Sequence, residues 1–126
     1  MTRVLVCGGR DFADKALMWK TLDETFPHSE PDEYGNWLPI GTLIQGDCPT
    51  GADALAVDYA MVNWLGLKSF PADWRKHGRS AGPIRNQQMI VEGKPDVVIA
   101  FPGGRGTADM VSKARAAGVP VIEVKA

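Results

Sequence analysis

Phe101-Pro102-Gly103-Gly104-Arg105-Gly106-Thr107 follows the apolar run Asp96-Val97-Val98-Ile99-Ala100. Gly103, Gly104 and Gly106 would let backbone come close to a ligand without Cβ clashes. With a strand before it and a helix after it, such a loop aims backbone N–H groups and a positive helix end at one point. That is the chemistry of anion binding, and the expected ligand carries a phosphate. Thr107 would add its hydroxyl to the site or serve as the helix cap, two roles that are compatible.

A second glycine pair, Gly8-Gly9-Arg10-Asp11, follows Arg3-Val4-Leu5-Val6-Cys7. Gly8 and Gly9 would permit close approach, and Arg10 would either clamp a phosphate in bidentate fashion or pair with Asp11. Asp73-Trp74-Arg75-Lys76-His77-Gly78-Arg79 is rich in basic groups, with Arg85 one turn beyond. Arg85 and Arg79 are candidate phosphate contacts, and Trp74 either stacks on a base or tucks over the sheet. Asp47, after Gly46, is placed to bind a ribose hydroxyl by analogy of position with dinucleotide folds. Thr50-Gly51-Ala52-Asp53 has the form of a capping box, which would account for Asp53 without a ligand. His77 alone is weak ground for acid–base chemistry. No cluster has metal-ligand spacing, although Asp11, Asp47 and Asp109 could share a cation through phosphate. No cofactor is required.

The elements that must hold these groups alternate. Strands are expected at Arg3–Cys7, Thr42–Gln45, Leu67–Phe70, Asp96–Ala100 and Val119–Val124. Helices are expected at Ala13–Phe26, around Ala52–Ala60, at Pro83–Val91 and at Thr107–Ala117, with Gly118 as a helix C′ residue and a charged loop over Asp73–Gly82. This is the pattern of an α/β three-layer domain with a mainly parallel five-stranded sheet. The simplest order is 3-2-1-4-5, with right-handed crossovers. The winding then reverses between the first and fourth strands, where open α/β sheets bind ligands. That topology would bring the two glycine loops together. Pro120 suggests an edge for the last strand.

Residues 27–41 depart from the scheme as an irregular excursion, expected at the end of the sheet away from the site. Tyr34-Gly35-Asn36-Trp37 would form the tip of a small hairpin, with Trp37 either anchored on the surface or used in a partner contact. The chain of 126 residues is long enough for one domain with a real core. A formal net charge of −1 makes bulk binding to nucleic acid or to an anionic membrane unexpected. No apolar run approaches the roughly 20 residues needed to span a bilayer, and the start does not read as a signal peptide. Two cysteines, Cys7 and Cys48, make neither a disulfide framework nor a zinc spacing. A cytoplasmic location is expected, with Cys7 in the core.

Four blocks together resemble a known family: Gly8-Gly9-Arg10-Asp11-Phe12, Gly46-Asp47 with Gly51-Ala52-Asp53, Gly82-Pro83-Ile84-Arg85-Asn86-Gln87-Gln88-Met89, and Pro102-Gly103-Gly104-Arg105-Gly106-Thr107-Ala108-Asp109. They look like the YspA-type (YpsA-related) members of the SLOG superfamily, which groups Smf/DprA with LOG (Lonely Guy) proteins. The resemblance implies a Rossmann-like fold over residues 1–126 and a site for a nucleotide or nucleotide-derived molecule. LOG proteins are phosphoribohydrolases, commonly dimeric, and their pattern Pro-Gly-Gly-x-Gly-Thr-x-x-Glu ends in a glutamate tied to hydrolysis. Here that position is Met110, and a carboxylate stands one residue earlier at Asp109. One position on a helix is a rotation of about 100°. The LOG segment Arg-Lys-x-x-Met corresponds to Arg85-Asn86-Gln87-Gln88-Met89, matching at its arginine and methionine.

Three functions fit. The first is a non-catalytic nucleotide-binding sensor or sequestering protein, using Gly8, Gly9, Arg10, Asp47, Trp74, Arg79, Arg85 and Pro102 to Thr107. The second is a nucleotide N-glycosidic hydrolase with Asp109 as carboxylate and Arg85 holding the substrate. The third is a nucleic-acid-binding module. The partner expected is a nucleotide-type small molecule, with a homo-oligomer compatible and no membrane.

Overall fold

Alternation of apolar residues along the strands builds a two-faced sheet. In β1 (Arg3–Cys7), Val4 and Val6 point to one face and Leu5 and Cys7 to the other, and all four are buried. The computed structural model describes residues 1–125. The remaining strands are β2 (Thr42–Gln45), β3 (Gly66–Ser69), β4 (Val97–Ala100) and β5 (Val121–Glu123). They form one sheet in the order β3-β2-β1-β4-β5, and every pair is parallel. Leu5 is in register with Ile44 on one side and Val98 on the other. As expected, the winding reverses between β1 and β4.

Helices α1 (Lys15–Thr25) and α2 (Gly51–Val62) cover one face, with Met18, Leu22, Ala56 and Tyr59 packed on Val4, Val6, Leu43 and Ile99. Helices α4 (Ala81–Gly93) and α5 (Arg105–Ala116) cover the other, with Met89, Met110 and Ala114 on Leu5, Ile44 and Val98. Asp14 caps α1 by accepting from the Leu17 N–H at 3.0 Å. Buried Tyr59 donates its hydroxyl to Asp23 at 2.6 Å, so a core aromatic keeps a polar partner.

The charged stretch expected as a loop is partly helical. Trp74–His77 forms a single turn, α3, which Asp73 caps by accepting from the Lys76 N–H at 3.1 Å. A 3₁₀ turn at Gly78–Ser80 leads straight into α4, which begins two residues before Pro83. Proline is tolerated there because the first turn of a helix has no intrahelical acceptors for its N–H groups. Helix α5 likewise begins at Arg105, two residues before Thr107.

Residues 27–41 hold one isolated antiparallel bridge, between His28 and Pro39. The reversal is closed by Asp32, whose carboxylate accepts from the Tyr34 and Asn36 N–H groups, both at 2.8 Å. Leu38, Pro39 and Ile40 lie with Met1, Thr42 and Gly66 at the N-terminal ends of the strands, opposite the glycine loops. Trp37 is 58% exposed, so it is not anchored in the core.

Candidate functional site

The two glycine loops meet. The Gly9 N–H donates to the Pro102 carbonyl at 2.8 Å. A Cβ on Gly103 would lie 2.7 Å from the Gly9 nitrogen and would also strike Thr107 Oγ1. Gly103 is therefore needed for loop-to-loop packing. Gly104 and Gly106 differ: a Cβ on either would have no protein atom within 4 Å. Gly104 is the N-cap of α5, and no side chain caps the helix. Thr107 thus lies within the first turn instead of capping it. The first intrahelical bond here runs from Ala108 N–H to Gly104 C=O at 3.0 Å. The N–H groups of Arg105, Gly106 and Thr107 have no acceptor among the described residues, the ordinary condition of a helix start.

These loops form part of the wall of a cleft of about 1550 Å³, at the carboxyl ends of the strands. Every residue read from the sequence as a candidate contact lines it: Gly8, Gly9, Arg10, Asp47, Trp74, Arg79, Arg85, Pro102, Gly103, Gly104, Arg105, Gly106, Thr107 and Asp109. Arg75, Lys76 and His77 do not line it. Arg10 and Arg105 are exposed, and neither forms an ion pair among the described residues, so the Arg10–Asp11 pair is not seen. Trp74 is half exposed and lies against Gly82 at the start of α4.

Arg85 has a structural duty as well as a place in the wall. Its NH1 donates to the Gly46 carbonyl and, at 3.4 Å, to the Phe70 carbonyl, tying together the ends of β2 and β3. Its Nε donates to Asn86 Oδ1 at 3.1 Å. The NH2 group has no protein acceptor among the described residues. Asn86, buried, relays onward through Nδ2 to the Gly106 carbonyl at 3.2 Å and to Asp109 Oδ2 at 3.0 Å. Lys113 Nζ takes the other oxygen of Asp109 at 2.5 Å. Burial pushes the Asp109 carboxyl upward, but the hydrogen bonds from Lys113 and Asn86 and the charge of Lys113 hold it below the ordinary range. Met110, beside it, is fully buried in the core under α5.

Asp53 is the residue that sequence reasoning assigned elsewhere. It does not complete a capping box: Thr50 makes no side-chain cap bond, and Asp53 Oδ2 accepts from the Cys48 N–H at 3.1 Å. It lines the cleft and is only 9% exposed. Burial raises its carboxyl above the ordinary range, against the lowering effect of the Cys48 N–H, the Arg85 charge and the Gly46 N–H. The sequence signal that would have separated the two readings was the glycine at the first position of the helix. Gly51 has φ +75° and abuts the backbone of Gly9 and Arg10, so this turn belongs to the wall of the cleft. Asp47 sits on the rim, exposed, with φ +59°. Left-handed backbone at a non-glycine residue is uncommon. It is supported here by a bond from the Asp47 N–H to Oε1 of buried Gln45, at 2.5 Å. Cys7 lies beneath the loops, where burial pushes its thiol up to about 12, and Cys48 is half buried in the wall. Among the described residues, no group of three or more His, Cys, Asp and Glu is arranged to hold a metal, and no helix is long and apolar enough to cross a membrane.

An open parallel sheet, with paired glycine loops at its point of reversal and helices on both faces, defines a Rossmann-like α/β protein. The chain belongs to the YspA, cpYpsA-related SLOG family, which it matches over residues 2–77. It is 35% identical over 129 residues to the Gene 61 protein of Mycobacterium phage D29, covering 97% of this chain and 95% of that protein. Its fold is similar to that of the Moco Carrier Protein from Chlamydomonas reinhardtii, with a TM-score of 0.58 and 17% identity over 98% of this chain and 75% of that one.

Proposed function

We propose that residues 1–126 act as one domain that binds a nucleotide or nucleotide-derived ligand between β1 and β4, as a sensor or sequestering protein. The observation that carries this reading is the uncapped start of α5. Three N–H groups without acceptors among the described residues stand beside two glycines, and the cleft around them is lined by Arg10, Arg79, Arg85 and Arg105. A phosphate there would gain hydrogen bonds, the helix-end potential and guanidinium charge together. Trp74 supplies a half-exposed aromatic face for a base.

Binding is favoured over hydrolysis by the state of Asp109. Both of its oxygens are already engaged, by Asn86 and Lys113, and position 110 faces the core. A carboxylate committed to two donors is poorly placed to stabilise a developing oxocarbenium ion. Release of base from a nucleotide by the parent protein, lost in Asp109→Asn, would restore the hydrolase reading. The net charge of −1 likewise weighs against a nucleic-acid-binding module.

Thermal denaturation with a panel of nucleoside mono- and diphosphates and ADP-ribose tests the proposal. The structural neighbour named Moco Carrier Protein adds Moco to the panel. A ligand at 100 times its dissociation constant stabilises by about 2.7 kcal/mol, a rise on the order of 10 °C for a domain of this size. No shift with any member of the panel would overturn the reading.

A further inference from the structure

The cleft presents two kinds of group. The start of α5 and the arginines offer donors and positive charge. Asp53, on the first turn of α2, offers a nearly buried carboxylate. Its Oδ2 accepts from the Cys48 N–H, and the Gly46 N–H also favours the charged carboxylate, while Oδ1 makes no bond within hydrogen-bond distance among the described residues. No buried side-chain oxygen among those residues is left without a partner, so Oδ1 is not sealed in the protein. Asp53 lines the cleft. The Arg85 charge favours the ionised carboxylate, but the two form no ion pair among the described residues, and the Nε and NH1 groups of Arg85 donate to Asn86 and to the Gly46 and Phe70 carbonyls.

A buried carboxylate is costly unless something donates to it. Holding one in an otherwise donor-rich cleft suits a ligand that is anionic and also carries hydroxyl donors. A phosphorylated sugar has that polarity. Asp47, the residue first read for this role, is exposed on the rim, where a hydrogen bond competes with water.

We infer that Asp53 accepts a hydrogen bond from a sugar hydroxyl of the bound ligand and thereby selects ribose-bearing nucleotides over those that lack the hydroxyls. The inference rests on the nucleotide reading of the cleft given above. A hydrogen bond to a charged acceptor corresponds to a discrimination of about 10- to 100-fold.

The test is calorimetric titration of the full chain with the four ribonucleoside 5′-monophosphates and their 2′,3′-dideoxy counterparts. The parent is expected to bind at least one ribonucleotide tenfold or more tighter than its dideoxy form. Asp53→Ala erases that ratio by weakening the ribonucleotide selectively, and Asp53→Asn, which keeps the shape without the charge, reduces it. Asp47→Asn leaves it unchanged. A merely structural Asp53 would lower both affinities together and leave the ratio intact, which overturns the inference. Equal affinity of the parent for the two sugar forms overturns it while leaving nucleotide binding standing. Binding of neither form removes the nucleotide reading and this inference with it. If Asp53→Ala does not fold, the parent and Asp53→Asn ratios decide the question.

Discussion

Gly9 donates its backbone N–H to the Pro102 carbonyl at 2.8 Å, although the two residues lie on loops from opposite ends of the chain. The bond holds the loop after β1 against the loop after β4 at the point where the sheet reverses its winding. Side chains have no room in this seam, and that fixes which glycines serve the fold.

Gly103→Ala and Gly51→Ala should both destabilise the protein. The added methyl at 103 meets the Gly9 nitrogen at 2.7 Å, and at 51 it meets the backbone of Arg10 at 2.6 Å in a left-handed residue. Each should cost about 1–3 kcal/mol, read as a lower midpoint in urea with an unchanged slope. A parent-like midpoint for Gly103→Ala would mean that the seam is not tightly packed.

Gly104→Ala and Gly106→Ala should both weaken binding. Neither methyl has a protein neighbour within 4 Å. Gly106 lies in the first turn of α5, where alanine favours the helix by up to about 1 kcal/mol. Gly106→Ala should fold with parental or higher stability, and Gly104→Ala, at the N-cap, should lose on the order of 1 kcal/mol, while both bind the phosphate-bearing ligand at least tenfold more weakly, about 1.4 kcal/mol. Unchanged affinity in both would place the phosphate away from α5.

Asp53 and Asp109 should show opposite pH signatures. Asp53 is held above the ordinary carboxylate range, so between that range and its raised value the native state binds more protons than the unfolded state. Stability from this group therefore falls as pH rises through that window. Asp53→Asn should melt higher than the parent at pH 7, and the difference should close below about pH 4. Asp109 is held below the ordinary range, so its contribution is present above that range and is lost as pH falls through its lowered value. Asp109→Asn should be less stable at pH 7 by about 0.5–1 kcal/mol, with the gap narrowing in acid. Melting curves from pH 3 to 8 check both signs, and a lower melting point for Asp53→Asn at pH 7 would contradict the first.

The two cysteines should differ in reactivity. The thiolate is the reactive form, and burial pushes the Cys7 thiol up to about 12. Cys48 is half buried and lines the cleft. Iodoacetamide at pH 8 should modify Cys48 alone in the folded protein, with a second adduct only in denaturant. Ligand in the cleft should slow the Cys48 reaction. Mass spectrometry of the adducts, with and without nucleotide, measures both effects, and early labelling of Cys7 would show that the loops open readily.

By itself the sequence determined the strand order and the meeting of the glycine loops. Periodicity is local: alternating apolar residues such as Val4 to Cys7 make a two-faced strand wherever they lie, and the connections then leave few parallel topologies. The same locality limits what a short segment shows about its polar residues. Thr50-Gly51-Ala52-Asp53 reads as a cap within four residues, but Asp53 bonds to Cys48 and faces a cleft walled by loops from β1 and β4. Asp109 is a candidate for chemistry when read alone, and becomes a bound carboxylate once α4 brings Asn86 to it. Arg85 reads as a ligand clamp, and tertiary contacts also make it a brace for Gly46 and Phe70. Which donor each polar side chain meets depends on groups tens of residues away. Only the packed structure decided which donors each carboxylate meets.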